Sequence, residues 1–418
     1  MVNLLVLYIS IKGGMNMLEL DAITTLALAS VLYLVGIYII NHVGILKRLC
    51  IPAPVIGGLL FAIIVAILET TGLLTIKLDS DFIQDFFMLA FFTTIGLGAS
   101  FKLLRLGGKV LILYFIFCGV LAFFQNIIGV SLAKLLNIPP LLGLTAGSMS
   151  MEGGHGNAAA YGKTVQNLGI DSAVTAALAA ATLGLVAGGL VGGPVVKFLI
   201  NKYNLKPENA EETMKDYSDV TANQYLHKRM APTTIFLMQF AIVAICMAIG
   251  SYLGTQFSNL TGINIPIYVG AMFIAVIIRN ISEYSNLNII DMKLINSISD
   301  VSLSLFLSIA LMSIQLTEIY QLAIPLIIIV LVQVVFIVLF SVLILFRGLG
   351  KDYDAAVMIG GFIGHGLGAT PNAMANLDVI TKKYGASPKA YLVVPIVGAF
   401  LIDLLGVPIV TTFINIFS

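Results

Sequence analysis

The sequence predicts an all-α membrane protein of about ten transmembrane helices, arranged as two inverted five-helix repeats that each carry a re-entrant hairpin. Three observations predict it. Apolar runs long enough to cross a bilayer recur along nearly the whole chain, marker residues recur at a near-constant offset, and two segments rich in glycine and small polar residues interrupt the pattern. With 59% hydrophobic and 10% charged residues and a mean hydropathy of +1.03, water cannot be the main solvent of these 418 residues. A net charge of +1 gives no electrostatic reason to expect a nucleic-acid partner. Cys50, Cys118 and Cys246 are widely spaced and sit in or beside apolar runs, which argues against a disulfide framework or a thiolate metal site.

Residues 1–16 are read as a mis-assigned start, because Lys12-Gly13-Gly14 fits a purine-rich run just upstream of Met17, the expected first residue. A signal peptide fits less well, since Lys12 follows the apolar stretch instead of preceding it. The N-terminal repeat, 17–200, places spans at 22–42, 51–69, 82–101, 109–132 and 173–200. The hydrophilic stretch 201–231 is the linker, and the C-terminal repeat, 232–418, places spans at 233–253, 263–282, 298–316, 322–346 and 388–415. Backbone polar groups cannot stay unpaired in lipid, so each span is expected to be helical. Segments 139–162 and 355–378 are too polar and too broken for lipid-facing helices. They are read as the two hairpins, covered by protein or lining a water-filled path.

Charge placement orients the chain. With the N-terminus outside, all but Lys12, Lys77, Lys134 and Lys163 of the 22 Lys and Arg fall on the cytoplasmic side. This positive-inside bias sets both termini outside and the 201–231 linker in the cytoplasm, and sends the hairpins in from opposite faces. Markers repeat in order: Pro54, Gly58 and Phe61 on Pro266, Gly270 and Phe273 at an offset of 212, and Asp85 and Phe91 on Asp300 and Phe306 at 215. Gly154-His155-Gly156 falls on Gly364-His365-Gly366 at 210, and Gly184, Gly192 and Pro194 on Gly398, Gly406 and Pro408 at 214. An odd number of spans per repeat makes the second repeat lie upside down relative to the first, an architecture recurrent in secondary transporters.

The hairpins read SMSMEGGHGNAAAYG (148–162) and GGFIGHGLGATPNAMANL (360–377). Glycines let the backbone turn sharply and expose N–H groups that hold a carboxylate and carbonyls that hold a cation. Half-helices ending at such turns add their dipoles. These parts suit a cation-coupled carrier of an anionic solute. No H-E-x-x-H, G-x-S-x-G or G-x-G-D pattern points to an intramembrane hydrolase, so the chain is not read as an enzyme.

GHGLGATP and NAMAN, the continuation KKYGASPKAYLVVPIVGAFLIDLLGVPIV (382–410), and the earlier IPAPVIGG (51–58) and FFTTIGLGAS (91–100) resemble the bacterial sodium/glutamate symporter family over almost the whole chain. The resemblance implies Na+-coupled symport of L-glutamate into the cell across the bacterial inner membrane, with Na+ as coupling ion and no other cofactor. It also implies a homodimer and motion of one domain against a fixed scaffold. A carrier of the same architecture for another dicarboxylate or amino acid, or one driven by H+, is the alternative. The chain departs from the family pattern at Glu152, Asn157 and Asn372, where threonines are common.

The substrate-binding set expected from these motifs is Gly153, Gly154, His155, Gly156, Asn157, Gly364, His365, Gly366, Gly368, Thr370 and Asn372. The Na+ set is Asp403, Asn376, Thr370 and Glu152. Asp403 is the sole charge in the apolar run 391–415 and falls on Gly189 at the repeat offset, so it is a one-sided carboxylate at membrane depth. Glu152, falling on Phe362, has the same character. His155 and His365 fall on each other, which favours scaffold imidazoles bonding the hairpin backbone over substrate contact or proton handling. Asp300, Ser304 and Ser308, with Gln315 two turns on, mark one helix face that either packs or lines the path. Arg279 is read as a snorkelling anchor, with a substrate carboxylate as its alternative partner.

Overall fold

The structure, a computed structural model, describes all residues except 1–7, 13–14, 49–50, 103–107, 208–230, 262–264, 286, 288 and 315–321. Ten helices among the described residues are long and apolar enough to cross a membrane. In chain order they are α1 (Ala22–His42), α2 (Ala53–Thr70), α3 (Asp81–Gly98), α4 (Gly108–Leu135), α8 (Ala173–Tyr203), α9 (Pro232–Thr261), α10 (Ile267–Tyr284), α11 (Met292–Met312), α12 (Ala323–Gly348) and α15 (Pro388–Phe417). Between α4 and α8 run three pieces, α5 (Pro140–Thr145), α6 (Ser148–Met151) and α7 (Gly154–Asn167). Between α12 and α15 run two, α13 (Tyr353–Gly366) and α14 (Thr370–Tyr384). A small sheet pairs β1 (Tyr8–Lys12) antiparallel to β2 (Met15–Leu20), and β2 parallel to β3 (Thr75–Leu78).

Local chemistry sets the helix ends. Pro52 and Pro266 precede α2 and α10, where a missing N–H costs nothing. Asp291 Oδ1 accepts from Lys293 N and Leu294 N, which starts α11 six residues before the expected 298. Side-chain hydrogen bonds from Thr255 to Ser251 O and from Thr261 to Phe257 O accompany α9 beyond the expected end at 253. Two spans widen into a π-helical turn, Ser341–Leu345 in α12 and Val397–Leu401 in α15.

Packing gathers the elements into two bodies, each drawing on both halves of the sequence. Helices α1, α2, α3, α9, α10 and α11 pack mainly on one another. Helices α4 to α8 and α12 to α15 form the other body, around a core that includes Leu121, Met151, Ile337, Phe340 and Phe362. In this second body the long α8 touches both broken segments. The two bodies meet where α7 lies on α11 and where the π-helical turn of α15 lies on α3. Cys118 and Cys246 are free and buried, and Cys50 lies outside the described residues.

Candidate functional site

The two broken segments meet. Gly154 has φ of +59°, a region open to glycine, and a side chain there would sit 2.8 Å from Gly368 O and 3.1 Å from the Ala369 side chain. The start of α7 therefore lies against the break that precedes α14, and the N-terminal ends of two half-helices converge on one spot. Helix α8 comes within backbone contact of the same place, with Gly184 against Leu367 O.

Beside this junction Ser148, Met149, Glu152, Gly153, Asn157 and Tyr161 of the first segment face Ile402, Asp403, Gly406 and Val410 of α15. The cavity among them measures about 10 Å³, room for about one water-sized species. Glu152, Asn157 and Asp403 are 6%, 7% and 7% exposed, so these three polar side chains share a buried pocket with the hydroxyl residues Ser148 and Tyr161. Asn157 Nδ2 donates to Asp403 Oδ1 at 2.7 Å. Among the described residues, neither carboxylate oxygen of Glu152 has a hydrogen-bond partner. A buried carboxylate without a partner is strongly unfavourable, so two carboxyl groups around a cavity of this size call for a proton or a small cation.

Of the expected Na+ set, Glu152 and Asp403 share this pocket, and Asn157, expected as a substrate contact, joins them. Thr370 and Asn376 do not line it. Thr370 begins α14 beside Gly398, and Asn376 Nδ2 donates to Gly188 O at 3.1 Å and Gly360 O at 3.0 Å. Asn372 is used in the same way, donating to Leu185 O at 3.0 Å and Gly364 O at 3.3 Å. These two amides lace α8 to α13 because the glycines of α8 leave carbonyls within reach. Gly364 packs against Ala373 backbone, which closes α13 onto α14 instead of opening toward a solute. Gly156 faces Phe91 and Leu303 of the other body.

The two histidines are not equivalent in space. His155 lies in the first turn after its break, whereas His365 lies in the last turn before the other. Neither ring bonds the hairpin backbone: His155 Nε2 pairs with Thr182 Oγ1 at 2.9 Å, and His365 Nε2 with the Tyr114 hydroxyl at 2.7 Å. The G-H-G match at 210 thus joins residues on opposite sides of a break. An offset of 215, already carried by Asp85 and Asp300, instead lays Gly153 on Gly368 and Asn157 on Asn372.

Arg279 Nη2 pairs with Glu283 Oε1 at 2.7 Å within α10, and Glu283 Oε2 accepts from Ser100 Oγ at 2.5 Å, so the carboxylate that the cation holds ties α10 to the residues just after α3. Asp300 is exposed and Ser308 buried, and neither lines the pocket; Gln315 lies outside the described residues. Sequence reading passed over Gln125, Asn126 and Gln333, all fully buried amides in mid-span. Their signal was available, as polar amides are as conspicuous as charges inside an apolar run.

The profile of the family described as Sodium/glutamate symporter matches residues 18–386. A sodium/glutamate symporter of Haemophilus influenzae is 40% identical over 383 residues, covering 91% of this chain and 94% of that protein. One from Escherichia coli (strain K12) is 37% identical over 404 residues, covering 95% and 98%. The solved sodium proton antiporter MjNhaP1 of Methanocaldococcus jannaschii aligns with a TM-score of 0.41 at 15% identity, covering 94% of this chain and 98% of that chain.

Proposed function

This chain belongs to the sodium/glutamate symporter family, a multi-pass membrane transporter rather than an enzyme, and we propose that it imports L-glutamate with Na+ bound at Glu152, Asn157 and Asp403. The observation that carries the cation assignment is the pair of unpartnered Glu152 oxygens facing a water-sized cavity that Asp403 also lines. Glutamate carboxylates are held by the N–H groups where α7 and α14 begin, close to that pocket, so one ion and one solute occupy adjoining parts of one junction.

The energetics require the coupling. Import of one net negative charge against a negative-inside potential costs about 2.3 kcal/mol per 100 mV, and co-transport of more than one Na+ reverses the sign of the charge moved. The two bodies are the parts that move against each other, the body with both breaks carrying the site past the other. The recurring markers and the matching order of elements support inverted repeats, and charge placement supports an inner-membrane setting with both termini outside. The family resemblance implies assembly as a homodimer. The reading is tested by labelled glutamate uptake into proteoliposomes under an imposed Na+ gradient, an imposed pH gradient, or neither, with aspartate, citrate and malate as competitors. Accumulation should follow the Na+ gradient; uptake indifferent to Na+ contradicts it.

A further inference from the structure

Two amides that the binding site leaves unused stand side by side in the middle of α4. Gln125 and Asn126 are fully buried, at a depth where polar groups are costly and seldom idle. Each reaches a different break. Gln125 Nε2 donates at 2.8 Å to Gly366 O, the carbonyl at the end of α13. Asn126 Oδ1 accepts from Ser148 N and from Ser148 Oγ, both at 2.9 Å, at the first residue of α6. Helix ends leave such groups without intrahelical partners, so α4 satisfies one half-helix end in each broken segment. Gln333 of α12 braces the arrangement, its Nε2 donating to Gln125 O at 2.7 Å and to Ala146 O at 3.3 Å.

The geometry places this brace between the two halves of the site. Glu152 caps the far end of the single turn α6 whose first residue Asn126 holds. The next residue along α4, Gln125, holds the second break. We propose that Gln125 is a positioning residue for coupling: it sets the Gly366 end of the second break according to the placement of α6, so that cation occupancy at Glu152 decides how well glutamate is held. A movement of α6 shifts Ser148, and with it Asn126 and the adjoining Gln125, through bonded contacts without a gap. The inference rests on the cation reading of the Glu152 pocket and adds to it the route by which the ion and the solute sense each other.

The test is glutamate binding to the purified full chain, by calorimetry, at zero and at saturating Na+. The wild-type ratio of the two dissociation constants is expected in the roughly 5–150-fold range typical of coupled sites. Gln125→Met keeps the volume and removes the donor; it should bring the ratio below about 2-fold while leaving the Na+-free constant within about 3-fold of wild type. Gln239→Met is the control, because Gln239 is also fully buried but bonds Ile289 O and Asp291 N, away from both breaks. It should keep the wild-type ratio. If Gln125→Met does not fold, Gln333→Met removes the brace and is read in the same way. A wild-type ratio in Gln125→Met, or equal loss in Gln239→Met, overturns the proposal. A ratio of one in the wild type itself overturns the Na+-coupled reading, and the proposal with it.

Discussion

The first break is charged and the second neutral, although both are built from similar parts. At the 215 offset Asn157 falls on Asn372, and at 214 Asp403 falls on Gly189. Asn157 donates to Asp403, and in the second segment a side chain at Gly189 would sit 3.2 Å from Asn372 Oδ1. One asparagine thus faces a carboxylate of the crossing helix where the other faces bare backbone. Because Gly189 offers nothing, Asn372 turns its amide to Leu185 O and Gly364 O and serves packing. The difference teaches that two one-sided carboxyls, Asp403 on the crossing helix and Glu152 in the break where Leu367 stands at the 215 offset, separate the proposed ion site from a structural joint.

The largest expected effect breaks the charged side. Asp403→Ala leaves Glu152 and Asn157 around a pocket with half its charge; a loss of about 3 kcal/mol, roughly a hundredfold rise in the Na+ concentration for half-maximal uptake, is expected. Gly154→Val attacks the junction that both breaks share. Its positive φ and the nearness of Gly368 O cost about 2 kcal/mol, so uptake should drop more than tenfold while surface-labelled protein stays at the wild-type level.

A paired substitution sharpens the comparison. Asn157→Ala should weaken Na+ activation by about 1.4 kcal/mol, roughly tenfold, with little change in melting temperature. Asn372→Ala should do the reverse, lowering the melting temperature while the Na+ activation curve stays in place, since its lost bonds join α8 to α13. Equal Na+ effects of the two variants would erase the distinction. The smallest effect belongs to Lys163, which pairs with Asp85 at 2.7 Å and joins α7 to α3 at the edge of the two bodies. With Asp85 half exposed, Lys163→Ala should change stability by less than about 1 kcal/mol, read from the thermal unfolding midpoint.

The ten spans were legible because length and hydropathy answer to one physical constraint, the thickness of the hydrocarbon. Their ends were legible only where the cue lay in the apolar run itself. The start of α11 depends on Asp291, a capping residue that a hydropathy window counts as merely polar. Both segments rich in glycine and small polar residues do contain helix breaks, at 146–147 and 152–153 and at 367–369. Where each break falls was not legible, since the G-H-G triplet is shared by sequence but sits after one break and before the other. The π-helical turn Val397–Leu401 also escaped notice, since VGAFL reads as an ordinary apolar stretch, yet this turn immediately precedes Ile402 and Asp403 in the pocket.

Within the site, Glu152 and Asp403 were legible as one-sided charges in apolar surroundings, and their meeting in one cavity required the fold. Asn372 looked like a substrate contact and Asn376 like a Na+ ligand, yet carbonyls of α8 and α13 use their amides. No residue type reveals by itself whether a neighbouring glycine will bring a carbonyl within its reach. The division into two bodies was likewise hidden, because each body is assembled from both halves of the chain.

Equilibrium binding of radioactive sodium to the purified protein tests the central claim most directly. Wild type should bind saturably, and the Glu152→Gln, Asp403→Asn double variant, which keeps shape and removes both charges, should lose a site while eluting as the same folded species. Undiminished sodium binding by that variant would contradict the claim that these two carboxylates hold the coupling ion.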